Sequence, residues 1–521
     1  MMRVAFCFVC MCILFPYAVC GKQYAQCTYI YEEESKSVHS SATLPIVHID
    51  TKDIAIGRQE RTSSVIRIED SEGRLPEGLS TFIHQAGIKV RGNTATSFAK
   101  KSYAVEFCDS AGEEVDISLF GMRSDGDWIL DAMYIDHARM RNRLCTDIWN
   151  TYNRIPHLIE EPKAWNGTRG IFVEVFLNGK YNGLYCLTER IDRKQLKLKK
   201  YKEACRGVSY KAITWNNLMG WCSYNPEASK ETLVWNGFEA EYPDVVEQMC
   251  WDYLQKFLEF ISPDYTSDEQ FVSEVESYVH LDNVIDYTLL VNAVYAIDNI
   301  AKNVYLNIYN VENDQRIFFT PWDLDATFGR TYEGSVINSY AFTGSVPFAN
   351  VLIARLWEND ACNFRSRIKE RWNELKNTTL SVDSVAERIR SYQALFEESG
   401  AFAREQQLWP EKCSDIADEA DFMIDWYAHN MAVMDSVLME STRKEELLYP
   451  LLSIEGSTLF IEGVGTTVTL YDINGRIIEL SSLSDRHRID LPYTGIFIVR
   501  IEDSYHTKVY KVQRSKSLFI H

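Results

Sequence analysis

The period of the hydrophobic pattern changes twice along this chain, and that change limits the folds open to it. The early segments 44–50, 64–69, 87–91 and 101–108 alternate apolar and polar residues, the period of two expected of half-buried strands. Asp136 reads as an N-cap, because Met140, Leu144, Ile148 and Tyr152 follow at intervals of four and predict an amphipathic helix. The apolar run 172–177 ends in Asn178-Gly179, the strongest short hairpin signal, with 185–190 as its partner strand. Further on, helices are predicted at 245–261 and 281–296, strands at 304–309 and 316–320, and a mostly helical stretch at 350–447. Short strands return at 459–461, 468–471, 476–480 and 496–501, with turns at 472–475 and 493–495. The expected fold is therefore α+β, a sheet-rich N-terminal part and a helix-rich C-terminal part, followed by a small all-β sandwich. The segment 206–242 holds Trp215, Trp221 and Trp235 amid Asn, Gly and Ser, and reads as an irregular, exposed insertion able to wall an acceptor site.

A chain of 521 residues allows about three domains and large cores without metal or disulfide support. Its net charge of −20 argues against nucleic acid as the main partner, since such binding draws on cations paired with phosphates. The first twenty residues carry one charge, Arg3, then an apolar run from Val4 to Val19 with small Ala18 and Cys20 at its end. That run is too short for a membrane span and reads as a secretory signal peptide. Tyr17-Ala18-Val19 is a poor lipobox, so lipid attachment at Cys20 is the weaker alternative. No later segment has the length of uninterrupted apolar residues a span needs. The cysteines after Cys20 are scattered, form no CxxC, and point away from structural zinc; the exported compartment permits disulfides that the spacing does not pair.

Two stretches carry candidate chemistry. Asp298 and Asn303 stand five apart between a helix and a strand, and Pro321-Trp322-Asp323-Leu324-Asp325 follows the next strand. In extended chain, Asp323 and Asp325 face one way and offer two carboxylates to a hard cation such as Mg²⁺. Asp298 and Asn303 have the D-x-x-x-x-N spacing of a kinase catalytic loop, in which the Asp takes the acceptor proton and the Asn and a later Asp hold metal. Upstream, Arg91-Gly92-Asn93-Thr94 leads through a small polar loop into Lys100 and Lys101. Such a loop can cradle phosphate and a strand lysine can neutralise it; a solvated hairpin with edge lysines has the same local sequence.

Together these segments resemble the CotH-kinase family, the spore-coat protein H type of atypical protein kinase. The matching pieces are 44–51, Arg91-Gly-Asn-Thr94 with Lys100-Lys101-Ser-Tyr103, Asp127-Trp128-Ile-Leu130 and Met140-Arg-Asn142. Segments 172–190, Asp298-Asn299 through Asn303, and Pro321–Gly329 complete the set in the family's order. The resemblance implies ATP and Mg²⁺, Asp298 as the catalytic aspartate, and Asn303, Asp323 and Asp325 on the metal. Lys100 or Lys101, and Arg141 beside them, would then approach the phosphates; strand alternation puts the two lysines on opposite faces and leaves open which faces the pocket. Thr94-Ala95-Thr96 departs from the family's Ser/Thr followed by an aromatic residue. The tail, with 468–476, 491–500 and 508–512, is similar to a type IX secretion C-terminal sorting domain, whose partner is an outer-membrane export machine of Gram-negative bacteria. The implied organisation is a signal peptide at 1–20, a linker at 21–41, a kinase-like domain at 42–447 and a sorting domain at 448–521. The expected protein is exported, secreted or held at the cell surface, and transfers a phosphoryl group to an acceptor protein. The competing expectation is a non-catalytic surface protein, structural or adhesive, that uses its aromatic residues to bind glycans.

Overall fold

The computed structural model describes residues 43–214, 221, 225–337 and 350–444, then 451–455, 457–462, 467–473, 476–482, 486–502 and 507–514. The signal and linker segments expected at 1–20 and 21–41 lie outside the described residues.

The first part of the chain closes into a barrel. Its strands are β1 (Ile46–Asp50), β2 (Thr62–Glu69), β3 (Thr81–Arg91) and β4 (Ser102–Phe107). The short β5 (Ile117–Ser118) and β6 (Ser124–Asp125) pair with each other, and β7 (Asp127–Asp131) returns to the barrel. After α1 (Arg141–Tyr152), the hairpin β8 (Gly170–Leu177) and β9 (Lys180–Thr188) completes the order β1-β2-β3-β4-β7-β9-β8. Every neighbouring pair is antiparallel except the closing one, where β8 runs parallel to β1 with Ile46 opposite Glu174. Closure leaves no open sheet edge. The period-two residues expected inside are inside: Val47, Ile49, Ile66, Ile68, Ile88, Val105, Trp128 and Val173 share one buried cluster. The hairpin turns at Asn178 (φ 48°) and Gly179 (φ 75°), both left-handed, as a two-residue turn matched to strand twist requires. Asn178 also accepts from the Thr51 amide at 2.8 Å, which ties the turn to the end of β1.

Helix α1 begins later than its sequence signal. Met140 stands at the N-cap, and Asp136 caps from a distance, its Oδ2 accepting from the amides of Met140 (2.7 Å) and Arg141 (2.6 Å). The buried positions 144, 148, 149 and 152 follow the predicted face.

The second part opens with α2 (Arg193–Leu196), β10 (Val208–Ala212), β11 (Val234–Trp235) and β12 (Phe238–Tyr242). Then come α3 (Trp251–Ile261), α4 (Asp268–Glu274), α5 (Leu281–Ala293), β13 (Val304–Ile308) and β14 (Phe318–Pro321). The strands form a second sheet, β11-β12-β10-β13-β14, antiparallel throughout. Five helices follow: α6 (Val351–Glu358), α7 (Phe364–Leu375), α8 (Val382–Glu398), α9 (Ala401–Leu408) and α10 (Ile416–Lys444). Helix α5 is buried at every position but Asp282, so it is a central core helix with no solvent stripe.

The expectation of an exposed, irregular insertion at 206–242 is corrected. Its ends are strands of this sheet, and Trp221 and Trp235 are 2% and 1% exposed. Trp221 packs edge-on against Phe257 and Phe319, and its Nε1 donates to Ala301 O at 2.9 Å. Large indoles with a satisfied N–H are core material here. Trp215 lies outside the described residues.

The last part is all strand among the described residues. β15 (Leu451–Glu455), β16 (Thr458–Glu462) and β19 (Arg486–Asp490) make one sheet. β17 (Thr467–Asp472), β18 (Ile477–Ser482), β20 (Gly495–Glu502) and β21 (Thr507–Arg514) make another, in the order β18-β17-β20-β21. Leu459, Ile461, Val468, Leu470, Ile489, Phe497 and Val499 form the buried cluster shared by the two sheets. Among the described residues no helix is long and apolar enough to cross a membrane.

Candidate functional site

The loop from Asp298 to Asn303 and the segment after β14 are fastened together by one side chain. Asn299 is buried, and its Nδ2 donates to Asn303 O (2.9 Å) and Trp322 O (2.7 Å). The Trp322 amide in turn donates to Asn303 O at 3.0 Å, next to the β13–β14 pairing of Val304 with Pro321. Asn303 (φ 54°) and Asp323 (φ 57°) are both left-handed, as are Tyr295 and Phe328 in the same two segments. Asn and Asp tolerate that region best, and such backbone persists where surrounding contacts enforce it. Asp323 and Asp325 are thus not presented by an extended strand, as the i, i+2 reasoning expects. β14 stops at Pro321 and the carboxylates lie beyond it, on a turn.

The carboxylates nevertheless act on one another. Burial raises the pKa of Asp325 well above the usual carboxylate range, and Asp323, Asp131, Asp136 and Asp298 push it further. Asp323 is open to solvent, yet protein surrounds it closely enough that lost hydration is the main force raising its pKa, with Asp131 next. Asp323 thus stands at the surface among like charges. Neither Asp323 nor Asp325 makes a side-chain hydrogen bond or ion pair with a described residue, and neither does the Asn303 side chain, although its backbone amide donates to Ala212 O at 2.9 Å. Asp298 has Lys302 at 3.6 Å.

Two residues of this site were not among the expected ones. Asp131, at the end of β7, accepts from Asn142 Nδ2 at 2.9 Å, and Asn142 Oδ1 accepts from the Leu324 amide at 3.1 Å. Asn142 therefore clamps the carboxylate turn to the barrel. Both stand inside or beside segments that the family resemblance marks, Asp127–Leu130 and Met140–Asn142, but no local pattern separates them from other polar residues.

The expected phosphate cations are elsewhere. Lys100 is fully enclosed: its Nζ donates to Leu184 O and to Glu405 Oε1 (2.8 Å), and Glu405 also accepts from Arg139 Nε at 2.7 Å. Burial lowers the Lys100 pKa to about 8, partly offset by Glu405. Gly183 (φ 117°) makes room for this cluster, since a Cβ there would come within 2.3 Å of Glu405 Oε2. Arg141 is equally enclosed, held by Asp136 Oδ1 (2.6 Å), Glu419 Oε1 (2.6 Å) and Thr327 O (3.0 Å). With every contact internal, neither side chain reaches a phosphate in this arrangement. Lys101 is half-buried and donates to Thr96 O (2.8 Å) and Phe98 O, bracing the loop after Gly92. The Thr96 and Ser97 hydroxyls donate to Asn93 O and Thr94 O, both at 2.7 Å, so these donors close the loop on itself.

The cations that do stand at the site are Arg91, Lys211 and Lys302, the three positive charges that most oppose the raised pKa of Asp323. Glu114, Asp125 and Asp127 form another group of close carboxylates, but there the protein supplies the counter-charge. Lys194 Nζ lies 3.1 Å from Glu114 and 3.2 Å from Asp125, with Arg123 2.7 Å from Asp125 and Arg61 3.1 Å from Asp127. By contrast, among the described residues Asp323 and Asp325 have no cation within ion-pair distance. Carboxylate oxygens of this kind, with the Asn303 side-chain carbonyl on the neighbouring loop, are the donors a hard divalent ion such as Mg²⁺ takes.

Comparison with known proteins identifies the family. The inner spore coat protein H of Bacillus subtilis (strain 168) is 24% identical over 302 residues, spanning 58% of this chain and 74% of that protein. The family model described as CotH kinase protein matches residues 88–434, from within β3 to within α10. This match covers well over half of the chain and takes in the Arg91 loop, Asn142, Asp298, Asn303, Asp323 and Asp325, so the chain belongs to the CotH kinase family.

Proposed function

We propose that this protein is an exported, Mg²⁺-dependent phosphotransferase that moves the γ-phosphoryl group of ATP to a hydroxyl of an acceptor protein. The observation that carries this reading is the pair Asp323 and Asp325, two neighbouring carboxylates whose side chains make no hydrogen bond or ion pair with a described residue. A fold leaves such groups only at a cost, and a bound cation removes it. Asp323, Asp325 and Asn303 hold the ion, and Asp131 supports them from β7. A divalent ion held by these residues would supply positive charge to offset the charge that gathers as the phosphoryl group moves.

Asp298, on the loop that Asn299 fastens, accepts the proton of the acceptor hydroxyl as its oxygen bonds to the γ-phosphorus. The bond from that phosphorus to the β,γ-bridging oxygen breaks, and ADP leaves with the electron pair. Lys302, 3.6 Å from Asp298, is the cation beside this carboxylate.

Export is supported by the N-terminal apolar run and by the disulfide between Cys205 and Cys250, a bond suited to an oxidising compartment. The strand-rich tail serves as a type IX sorting address, released near 445–455 after export of a chain that begins near Gly21.

The test is phosphoryl transfer together with ATP binding by calorimetry, with and without Mg²⁺. Asp298→Asn keeps ATP binding and lowers transfer by about 10²–10⁴-fold, the range of a lost general base. Transfer by D298N at the wild-type rate removes Asp298 from this role. Absence of ATP binding under every condition favours a non-catalytic surface protein.

A further inference from the structure

Arg91 is a cation without a partner. It ends β3, is half-buried, and its side chain makes no hydrogen bond or ion pair with any described residue. Its guanidinium carbon lies 5.3 Å from the ring centre of the Trp322 indole. Lys211, from β10, lies 5.5 Å from the same ring and 5.5 Å from the ring of Tyr305. Its nearest carboxylate, Glu241, is 4.0 Å away and is shared with Arg190 at 3.3 Å. Trp322 immediately precedes Asp323, so two strands from different sheets bring positive charge to the residue beside the unpartnered carboxylates.

We propose that Arg91 and Lys211, gathered over the indole of Trp322, bind the phosphate chain of the donor; this rests on the phosphotransferase reading above. The charge balance requires such cations. Asp323 and Asp325 carry two negative charges and a triphosphate brings about four more near neutral pH, which one divalent ion does not offset. Lys100 and Arg141 are enclosed and Lys101 is committed to its own loop, as described above. The Arg91 guanidinium has its planar set of donors free, the geometry that grips two phosphate oxygens at once. The indole beneath holds the cation in place and shields one side from water.

The experiment is calorimetry on the full chain with ATP, AMP and inorganic tripolyphosphate, each with Mg²⁺, for wild type, Arg91→Gln, Arg91→Lys and Lys211→Met. R91Q and K211M each weaken ATP and tripolyphosphate about tenfold and leave AMP nearly unchanged. R91K recovers only part of the loss, because an ammonium lacks the fork. Thermal unfolding at the wild-type midpoint shows that the variants are folded. ATP binding by R91Q and K211M as tight as wild type overturns the inference and leaves the phosphotransferase reading intact. Binding of tripolyphosphate but not ATP, lost in R91Q, upholds this phosphate site and overturns the reading. Binding of neither by wild type overturns both.

Discussion

Two groups of charge in this protein are built on opposite rules. Around Glu405 and Glu419 every carboxylate is matched: Lys100 and Arg139 hold one, Arg141 and Arg330 the other. Around Asp323 and Asp325 the carboxylates face one another and their nearest described cations do not pair with them. The first group joins distant parts of the chain, since Lys100 and Arg139 belong to the barrel part and Glu405 to α9. In the second, the carboxylates at 323 and 325 are tied to no cation in this way. Charges that hold a fold together are neutralised within it, and charges left unneutralised side by side are there for something that binds. That contrast also explains why Lys100 and Arg141, the cations most prominent in the family's motifs, are structural in this chain.

The largest effect that tests the contrast is loss of a matched carboxylate. Glu405→Ala leaves Lys100 and Arg139 buried without a counter-charge and lowers unfolding free energy by about 3–5 kcal/mol. Denaturant unfolding measures it, and a wild-type midpoint would mean that this cluster does not hold α9 to the barrel.

Next is the acid response of Glu419. Burial works against its charge, but Arg141 and Arg330 outweigh that and hold its pKa at about 2, against 4.5 in the unfolded chain. A depressed carboxylate gives stability that is whole above the unfolded value and lost as pH falls through the folded one. The loss therefore runs from about pH 4.5 to about pH 2 and amounts to on the order of 3 kcal/mol. Glu419→Gln flattens that part of the stability–pH curve; an unchanged curve would show that Glu419 is not held this way.

Asp323→Asn and Asp325→Asn should behave in the reverse sense. Each removes a charge the fold disfavours, so the thermal midpoint rises, while Mg²⁺ affinity falls at least tenfold, about 1.4 kcal/mol. A lower midpoint with unchanged Mg²⁺ binding would place these carboxylates among the structural ones. The smallest effect belongs to Lys194→Met. Lys194 is exposed enough that its contacts with Glu114, Asp116 and Asp125 are screened, and stability changes by about 1 kcal/mol or less. A larger loss would mean that the Glu114 group depends on its lysine as Glu405 does on Lys100.

Much of the architecture was legible in the residues. Alternation marked β1, β2, the end of β3 and β4, the apolar run before Asn178-Gly179 marked the β8–β9 hairpin, and intervals of four marked α1, because these patterns arise between near neighbours in the chain. The shift from strand to helix period also placed the mixed fold and its order. The tryptophans misled, since Asn, Gly and Ser around Trp221 and Trp235 have the composition of a loop. Burial of Trp221 depends on Phe238, Phe257 and Phe319, and Trp235 packs on Trp251, partners brought to them by the sheet and the helices.

By itself the sequence determined which residue types were available for chemistry: the Asp298 loop, the carboxylates after Pro321, and the basic residues near Gly92 and Met140. Only the tertiary structure decided which of those charges are matched. Counter-charges come from far along the chain, as Glu405 does for Lys100 at a separation of 305 residues, and no local spacing records such a pairing. Lys211 and Arg91 meet at Trp322 for the same reason: the barrel's third strand and the second sheet are brought to one place by packing.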